Sequence, residues 1–453
     1  DRRAASYVVT YRFQVFLFQY PVVLIFIPRR KAEGQVTMTK ISAFLRSCAP
    51  NTGGSSSKVS VSIHIAGAGD NPRKVFTTSD RIEGVVTITV AEKTAFDDIK
   101  ITLEGISRVT TWGGISGPPL ISARQTFMKL HYPIEKSAYQ PASILEPGWC
   151  YKFPFTFIVP ENLPLTACDH KVDDTVIENT HTKLPPSLCK ETDTECFSIK
   201  YIVRVVIPRP FCSKGQPTKS LVNAVRPVKI LQSGAIGGPN SLAINALTSE
   251  KTINIRRGWR GKCTGRLVIL ASPAGPIRPS FHKIVAADQT ITTIKLDLKY
   301  SPVGAEPPPH LRMVYPKLNL VTSFHTTPRN GYPFFGQSKS TDLPRGNHVQ
   351  SLTLPTADIE SNQWIKTKTP STSVPSPWQD CLSSFTDDEA SYTASIVVPI
   401  YVPKHDDLVP SFHSCFISRM YTLEFIFSYC MTKQAGSRTA KIEVPVDITL
   451  RTE

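Results

Sequence analysis

Val59-Ser60-Val61-Ser62-Ile63-His64-Ile65 places an apolar side chain at every second position and a polar one between. Successive side chains of an extended chain point to opposite faces, so this stretch reads as a strand with one buried face. Gly67, Gly69, Asp70, Asn71 and Pro72 then make a turn. The alternation returns in Val86, Ile88 and Val90, set against Thr87 and Thr89. It returns again in Ile99, Ile101 and Leu103, after a turn at Phe96-Asp97-Asp98. Further strands read at Phe127 to Leu130, Lys152 to Val159 and Ser198 to Ile207, with Glu146-Pro147-Gly148 turning the chain into an aromatic-rich strand. Helical periodicity is nearly absent, and many short alternating strands between turns predict a β-sandwich.

After Leu231 the pattern loosens through Ser233-Gly234-Ala235-Ile236-Gly237-Gly238-Pro239-Asn240, a linker composition. Strands resume at Thr252 to Ile255, Gly265 to Leu270, Thr290 to Tyr300, Ala394 to Pro399, Met420 to Tyr429 and Lys441 to Leu450. The predicted organisation is a non-domain segment over 1–57, one sandwich over 58–232, a linker over 233–249, and a second sandwich over 250–451. A Ser/Thr/Pro-rich stretch at 326–390 interrupts the second sandwich and is too long for an ordinary connection, so it is expected to be an irregular loop. At the start lies an apolar run from Phe13 to Ile27 with basic residues on both sides, and the first methionine is Met38. Residues 1–37 read as sequence upstream of a start at Met38, as a membrane anchor, or as an apolar tail, with the first reading favoured.

At 453 residues, with 41% hydrophobic and 19% charged composition, the chain has the makings of more than one folded core. Its 38 prolines favour short strands and long connections over helices. Ten cysteines without a Cys-x-x-Cys pair do not form a small secreted disulfide framework and suit a cytosolic protein with reduced thiols. The net charge of +16 fits anionic membrane or phosphorylated peptides as partners. Nucleic acid is not expected, because none of its module signatures occurs.

Catalytic motifs are missing. Gly113-Gly114-Ile115-Ser116-Gly117 lacks the spacing of a nucleophile elbow. Gly67-Ala68-Gly69 lacks the third glycine of a dinucleotide loop, and Pro72 blocks the helix that should follow. Cys168, Asp169, His170, His181, Cys189 and Cys196 are zinc-competent types within one segment. Cys168-x-His170 is tighter than usual ligand spacing, however, and the others are irregularly placed. They read as ordinary thiols and surface histidines. No metal, cofactor or catalytic residue is expected, and the chain reads as a non-enzyme.

The sequence resembles the fungal arrestin-like (α-arrestin) family over most of 58–451. In the first half the resemblance rests on Arg81-Ile82-Glu83-Gly84-Val85-Val86, Phe96-Asp97, Ile101-Thr102-Leu103-Glu104-Gly105, Leu145-Glu146-Pro147-Gly148 and Phe153-Pro154-Phe155-Thr156-Phe157. Val159-Pro160-Glu161, Leu184-Pro185-Pro186-Ser187-Leu188 and Ile199-Lys200-Tyr201 extend it. In the second half it rests on Val398-Pro399-Ile400, Pro410-Ser411-Phe412 and Ser418-Arg419-Met420-Tyr421-Thr422-Leu423. These residues identify a fold rather than a site, and Gly84 and Gly105 read as bulge or strand-end positions.

The resemblance implies two consecutive immunoglobulin-like sandwiches and a cytoplasmic adaptor at the plasma membrane or endosomes. Such a protein binds cytosolic tails of transporters or receptors and links them, through a HECT-type ubiquitin ligase, to endocytosis. The alternative is a sorting subunit of an endosomal coat without ligase recruitment. The family recruits its ligase through Pro-Pro-x-Tyr, which is absent here. The nearest variant is Val398-Pro399-Ile400-Tyr401, with Val398, Pro399 and Tyr401 as its motif residues. Thr327, Thr369 and Ser376 each precede proline in the long loop and are the candidate phosphosites.

Overall fold

The computed structural model describes residues 25–26, 59–67, 74–112, 120–134, 144–164, 167–168, 170, 175–191, 196–210, 220–232, 249–256, 263–278, 290–304, 306–329, 345–359, 364–367, 391–403, 405, 407–431 and 436–450. Strands dominate them, and one short helix, Thr175–His181, accompanies them. Of the N-terminal segment 1–57 only Ile25–Phe26 is described, paired with Ile121 and Ser122. The linker expected over 233–249 lies outside the described residues up to Ser249.

The chain divides into two compact units that are not simple halves of the sequence. The first comprises 1–233 together with 323–347 and 413–418; the second comprises 234–322, 348–412 and 419–453.

In the first unit a seven-stranded sheet runs in the order Ile25–Phe26, Leu120–Tyr132, Lys100–Trp112, Cys196–Ile207, Val222–Leu231, Val75–Thr77, with Leu188–Glu191 also pairing on Cys196–Ile207. A three-stranded sheet of Val59–Ile65, Arg81–Val90 and Cys150–Ile158 faces it. Ile82, Val86, Ile88, Phe153, Phe155 and Phe157 are buried from this sheet, and Phe157 meets Tyr132 of the larger one edge-on at 6.1 Å. The turn before the aromatic strand has Pro147 followed by Gly148 at φ 80°, a conformation that glycine adopts without a Cβ penalty.

The two strand glycines differ. Opposite Gly105 the register shifts, because Gly105 pairs with Met128 and Ile106 with Thr126, which leaves Phe127 as the extra residue of a bulge. Gly84, by contrast, sits in regular register between Ile65 and Phe155. A Cβ there would stand 2.3 Å from the His64 carbonyl and 2.4 Å from Phe155 Cζ, so close packing rather than a bulge requires glycine.

In the second unit a five-stranded and a six-stranded sheet share a core that includes Leu267, Ile269, Leu296, Leu320, Leu423 and Phe425. The stretch 326–390 is not irregular throughout: it contains the strands Arg345–Thr353, Ala357–Asp358 and Ile365–Thr367. The strand His310–His325 is not among those read from the sequence; Pro316 lies inside it, and proline ordinarily speaks against a strand.

Candidate functional site

The variant Val398-Pro399-Ile400-Tyr401 lies inside the strand Ser391–Val402, with Val398 paired to Ile294, Pro399 to Thr293 and Tyr401 to Ile291. Val398 is fully buried, and Pro399 and Tyr401 are half-buried. A WW domain grips an extended polyproline segment with both edges accessible, and a laddered strand does not offer one. Of the candidate phosphosites, Thr327 is half-buried just past the strand His310–His325, whereas Thr369 and Ser376 lie outside the described residues. Of these residues the structure describes Val398, Pro399, Ile400, Tyr401 and Thr327.

The structure brings together a set of thiols and imidazoles in the first unit. Gln125 donates from Nε2 to the Ala167 carbonyl at 3.2 Å and so pins the segment that carries Cys168 against the long sheet. The short helix follows. Ile177 buries its apolar side, and Thr182 N–H returns to the Glu178 carbonyl at 3.2 Å, closing the last turn. That turn aims His181 inward, where it is 1% exposed rather than on the surface.

The third element is a tight turn between Phe412–His413 and the strand Ile417–Cys430. Ser414 closes it, its N–H donating to the Ile417 carbonyl at 3.0 Å and its hydroxyl to the same oxygen at 2.7 Å. Arg329 N–H donates to the Cys415 carbonyl at 3.0 Å, and His325 N–H to that of Phe416 at 2.9 Å. These bonds leave Cys415 buried and facing the helix.

Four donor atoms, one each from Cys168, His170, His181 and Cys415, consequently lie within 4.8 Å of one another. Cys168 Sγ is 3.4 Å from His170 Nδ1 and 3.6 Å from His181 Nδ1. His170 Nε2 is 3.0 Å from the Arg329 carbonyl. The His170 and His181 ring centroids are 5.3 Å apart, and those of His181 and His413 4.8 Å apart, with the rings of each pair tilted by 44°. Contact with Cys415, aided by His170 and His181 and opposed by burial, holds the Cys168 thiol down at about 3. Burial, with His181, Arg329, His325 and His170 nearby, keeps His413 well below its ordinary value and therefore neutral at pH 7.

Sequence reading had Cys168, His170 and His181 in its cluster but not Cys415. No spacing signal reaches a residue brought in by folding from far downstream. Cys189, which is exposed, and Cys196 stand on the neighbouring strand pair and are not in the set, and Asp169 lies outside the described residues.

A second feature is a charged face. Tyr201, Val203 and Val205 point into the core, so Lys200, Ile202 and Arg204 point away from it. The register puts Lys100, Thr102, Glu104 and Arg108 on the same outer face, and Arg124 and Lys129 beside them. Glu104 accepts from Arg204 Nε at 2.9 Å and Thr102 Oγ1 at 3.1 Å, with Lys129 Nζ 3.8 Å away. Lys100, Arg108, Arg124 and Lys200 remain as surplus positive charge, with Arg108 and Arg124 directly opposite each other across the strands. That juxtaposition is unfavourable on its own and suits an anionic partner.

The core beneath this face is sealed at one end by Leu184-Pro185-Pro186-Ser187-Leu188. The Tyr201 hydroxyl donates to the Pro185 carbonyl, Ser187 N–H to the Ile230 carbonyl at 2.7 Å, and Ile230 N–H to Ser187 Oγ at 2.9 Å.

Residues 67–230 match the family model of the arrestin (or S-antigen) N-terminal domain. The matched stretch is arrestin-like. It holds the whole basic face and three of the four clustered donors, and the all-β architecture agrees with an arrestin sandwich. A search of curated proteins finds no match.

Proposed function

We propose that this chain is a non-catalytic, arrestin-like adaptor of membrane-protein trafficking whose basic face receives acidic or phosphorylated segments of transporter or receptor tails. The observation that carries the reading is that the arrestin-like stretch presents Lys100, Arg108, Arg124 and Lys200 on one sheet face with no equal complement of carboxylates among the described residues. Phosphate and carboxylate groups meet guanidinium groups in charge-assisted, often bidentate hydrogen bonds, and arginine supplies the geometry. The adaptor works in the cytoplasm at the plasma membrane or endosomes, where the anionic membrane surface adds attraction for the same face.

Linkage to a ubiquitin ligase through Val398-Pro399-Ile400-Tyr401 is not part of the reading, because those residues are laddered in a strand. Any ligase recruitment runs through another surface. Affinity capture with the full chain from detergent-solubilised membranes, followed by mass spectrometry, tests the proposal. Enrichment of transporters or receptors, lost when Arg108, Arg124 and Lys200 are changed to Glu, is the expected result. Enrichment of endosomal coat subunits alone would favour the sorting-subunit role, and enrichment of neither would contradict both.

A further inference from the structure

We propose that Cys168, His170, His181 and Cys415 form a structural zinc site that ties the Cys168 segment and the helix Thr175–His181 of the first unit to the sequence-distant turn that carries Cys415. The four residues supply a Cys2His2 donor set whose ligand atoms all lie within 4.8 Å of each other.

Zinc in such sites is tetrahedral, with bonds of about 2.3 Å to sulfur and about 2.0–2.1 Å to nitrogen. Those bonds imply tetrahedron edges of about 3.6 Å between S and N and about 3.8 Å between the two sulfurs. The Cys168 Sγ distances of 3.4 Å to His170 Nδ1 and 3.6 Å to His181 Nδ1 match the first of these edges.

Cys168 Sγ stands beside an imidazole nitrogen of His170 and one of His181 as well as the Cys415 sulfur. A cation at the centre would contact all four donors at once.

Two further observations point the same way. His170 Nε2 lies 3.0 Å from the Arg329 carbonyl, which accepts only if that nitrogen carries the proton; the lone pair is then on Nδ1, the ring nitrogen nearer to Cys168 Sγ at 3.4 Å against 3.8 Å. A ring N–H given to a backbone carbonyl is the usual outer partner of a metal-bound histidine. His181 is 1% exposed, and its Nδ1 lies 3.6 Å from Cys168 Sγ, so a ligand bond from that nitrogen would fix a polar ring held inside the core.

The donors select the ion. Two sulfurs and two imidazoles in a compact set suit zinc, whereas calcium and magnesium require oxygen. Four protein ligands close the coordination sphere, so the site holds structure rather than activating water. With two thiolates the bound zinc is formally neutral, which fits a buried setting beside His413 and Arg329. The site would fasten the Cys168 segment and the helix Thr175–His181 to the turn at Ser414–Ile417.

The test uses the full chain, purified under reducing conditions without chelator, and measures metal content by mass spectrometry before and after reconstitution with Zn2+ or Co2+. The expected result is about one zinc per chain. Cobalt should give the intense visible bands of a tetrahedral ion and a near-ultraviolet thiolate charge-transfer band. Cys415→Ala and His181→Ala should lower retained metal at least tenfold, while Cys189→Ala and Cys196→Ala keep it. Should Cys415→Ala fail to fold, Cys415→His decides, since it keeps a ligand and should hold one equivalent with shifted cobalt bands. A folded wild-type chain that binds neither ion, metal content indifferent to Cys415, or a Cys168–Cys415 disulfide recovered from freshly purified protein would each overturn the proposal.

Discussion

Gly105 lies against the ring of Phe127: a Cβ at that position would stand 2.5 Å from Cε2 and 2.7 Å from Cζ, and 3.0 Å from Tyr201 Cε1. Phe127 is the bulged residue of its strand and meets Tyr201 edge-on at 5.7 Å, so its ring cannot retreat. Gly105→Ala should destabilise the first unit by about 1–3 kcal/mol through overpacking. Thermal denaturation checks this, and the double variant Gly105→Ala/Phe127→Leu should recover part of the loss because the two sites are in contact. An unshifted melting midpoint in the single variant would contradict the packing described.

Tyr201 is fully buried and its hydroxyl donates to the Pro185 carbonyl, while burial raises its phenol well above the ordinary value, so it stays protonated. Tyr201→Phe keeps the ring and removes only the donor. The orphaned carbonyl should cost about 1–3 kcal/mol, read as a lowered denaturant midpoint with an unchanged slope. A midpoint equal to wild type would show that the Leu184–Leu188 seal does not depend on this bond.

The buried, laddered position of Val398 and its neighbours predicts that the folded chain does not bind WW domains through this segment. Micromolar binding to a WW-domain array that disappears in Tyr401→Ala would restore the ligase-recruiting role to Val398, Pro399 and Tyr401.

Much of the fold was legible because period-two alternation in Val59–Ile65, Arg81–Val90 and Cys196–Ile207 records burial on one face directly. Among the strands that escaped are two in which a second signal competes. Pro316 interrupts His310–His325 and Pro227 interrupts Val222–Leu231, and proline ordinarily speaks against a strand. The helix Thr175–His181 is too short for 3.6-residue periodicity and opens on β-branched residues, so tertiary packing of Ile177 and His181 rather than propensity holds it. The donor cluster was half visible. Cys168, His170 and His181 are close in sequence, but the burial of His181 and the arrival of Cys415 are products of the fold. The basic face was hidden for a related reason: the net charge of +16 was plain, but only strand register collects Arg108, Arg124 and Lys200 on one surface.

The adaptor reading stands or falls on that face. The most direct measurement is the affinity of the full chain for an acidic cytosolic-tail peptide, with and without phosphoserine, beside the variant with Arg108, Arg124 and Lys200 changed to Glu. The account predicts tighter binding of the phosphorylated peptide, binding that weakens as salt rises, and at least a tenfold loss in the charge-reversed variant at an unchanged melting midpoint. Equal affinity of the wild-type and charge-reversed chains for the phosphorylated peptide would contradict it.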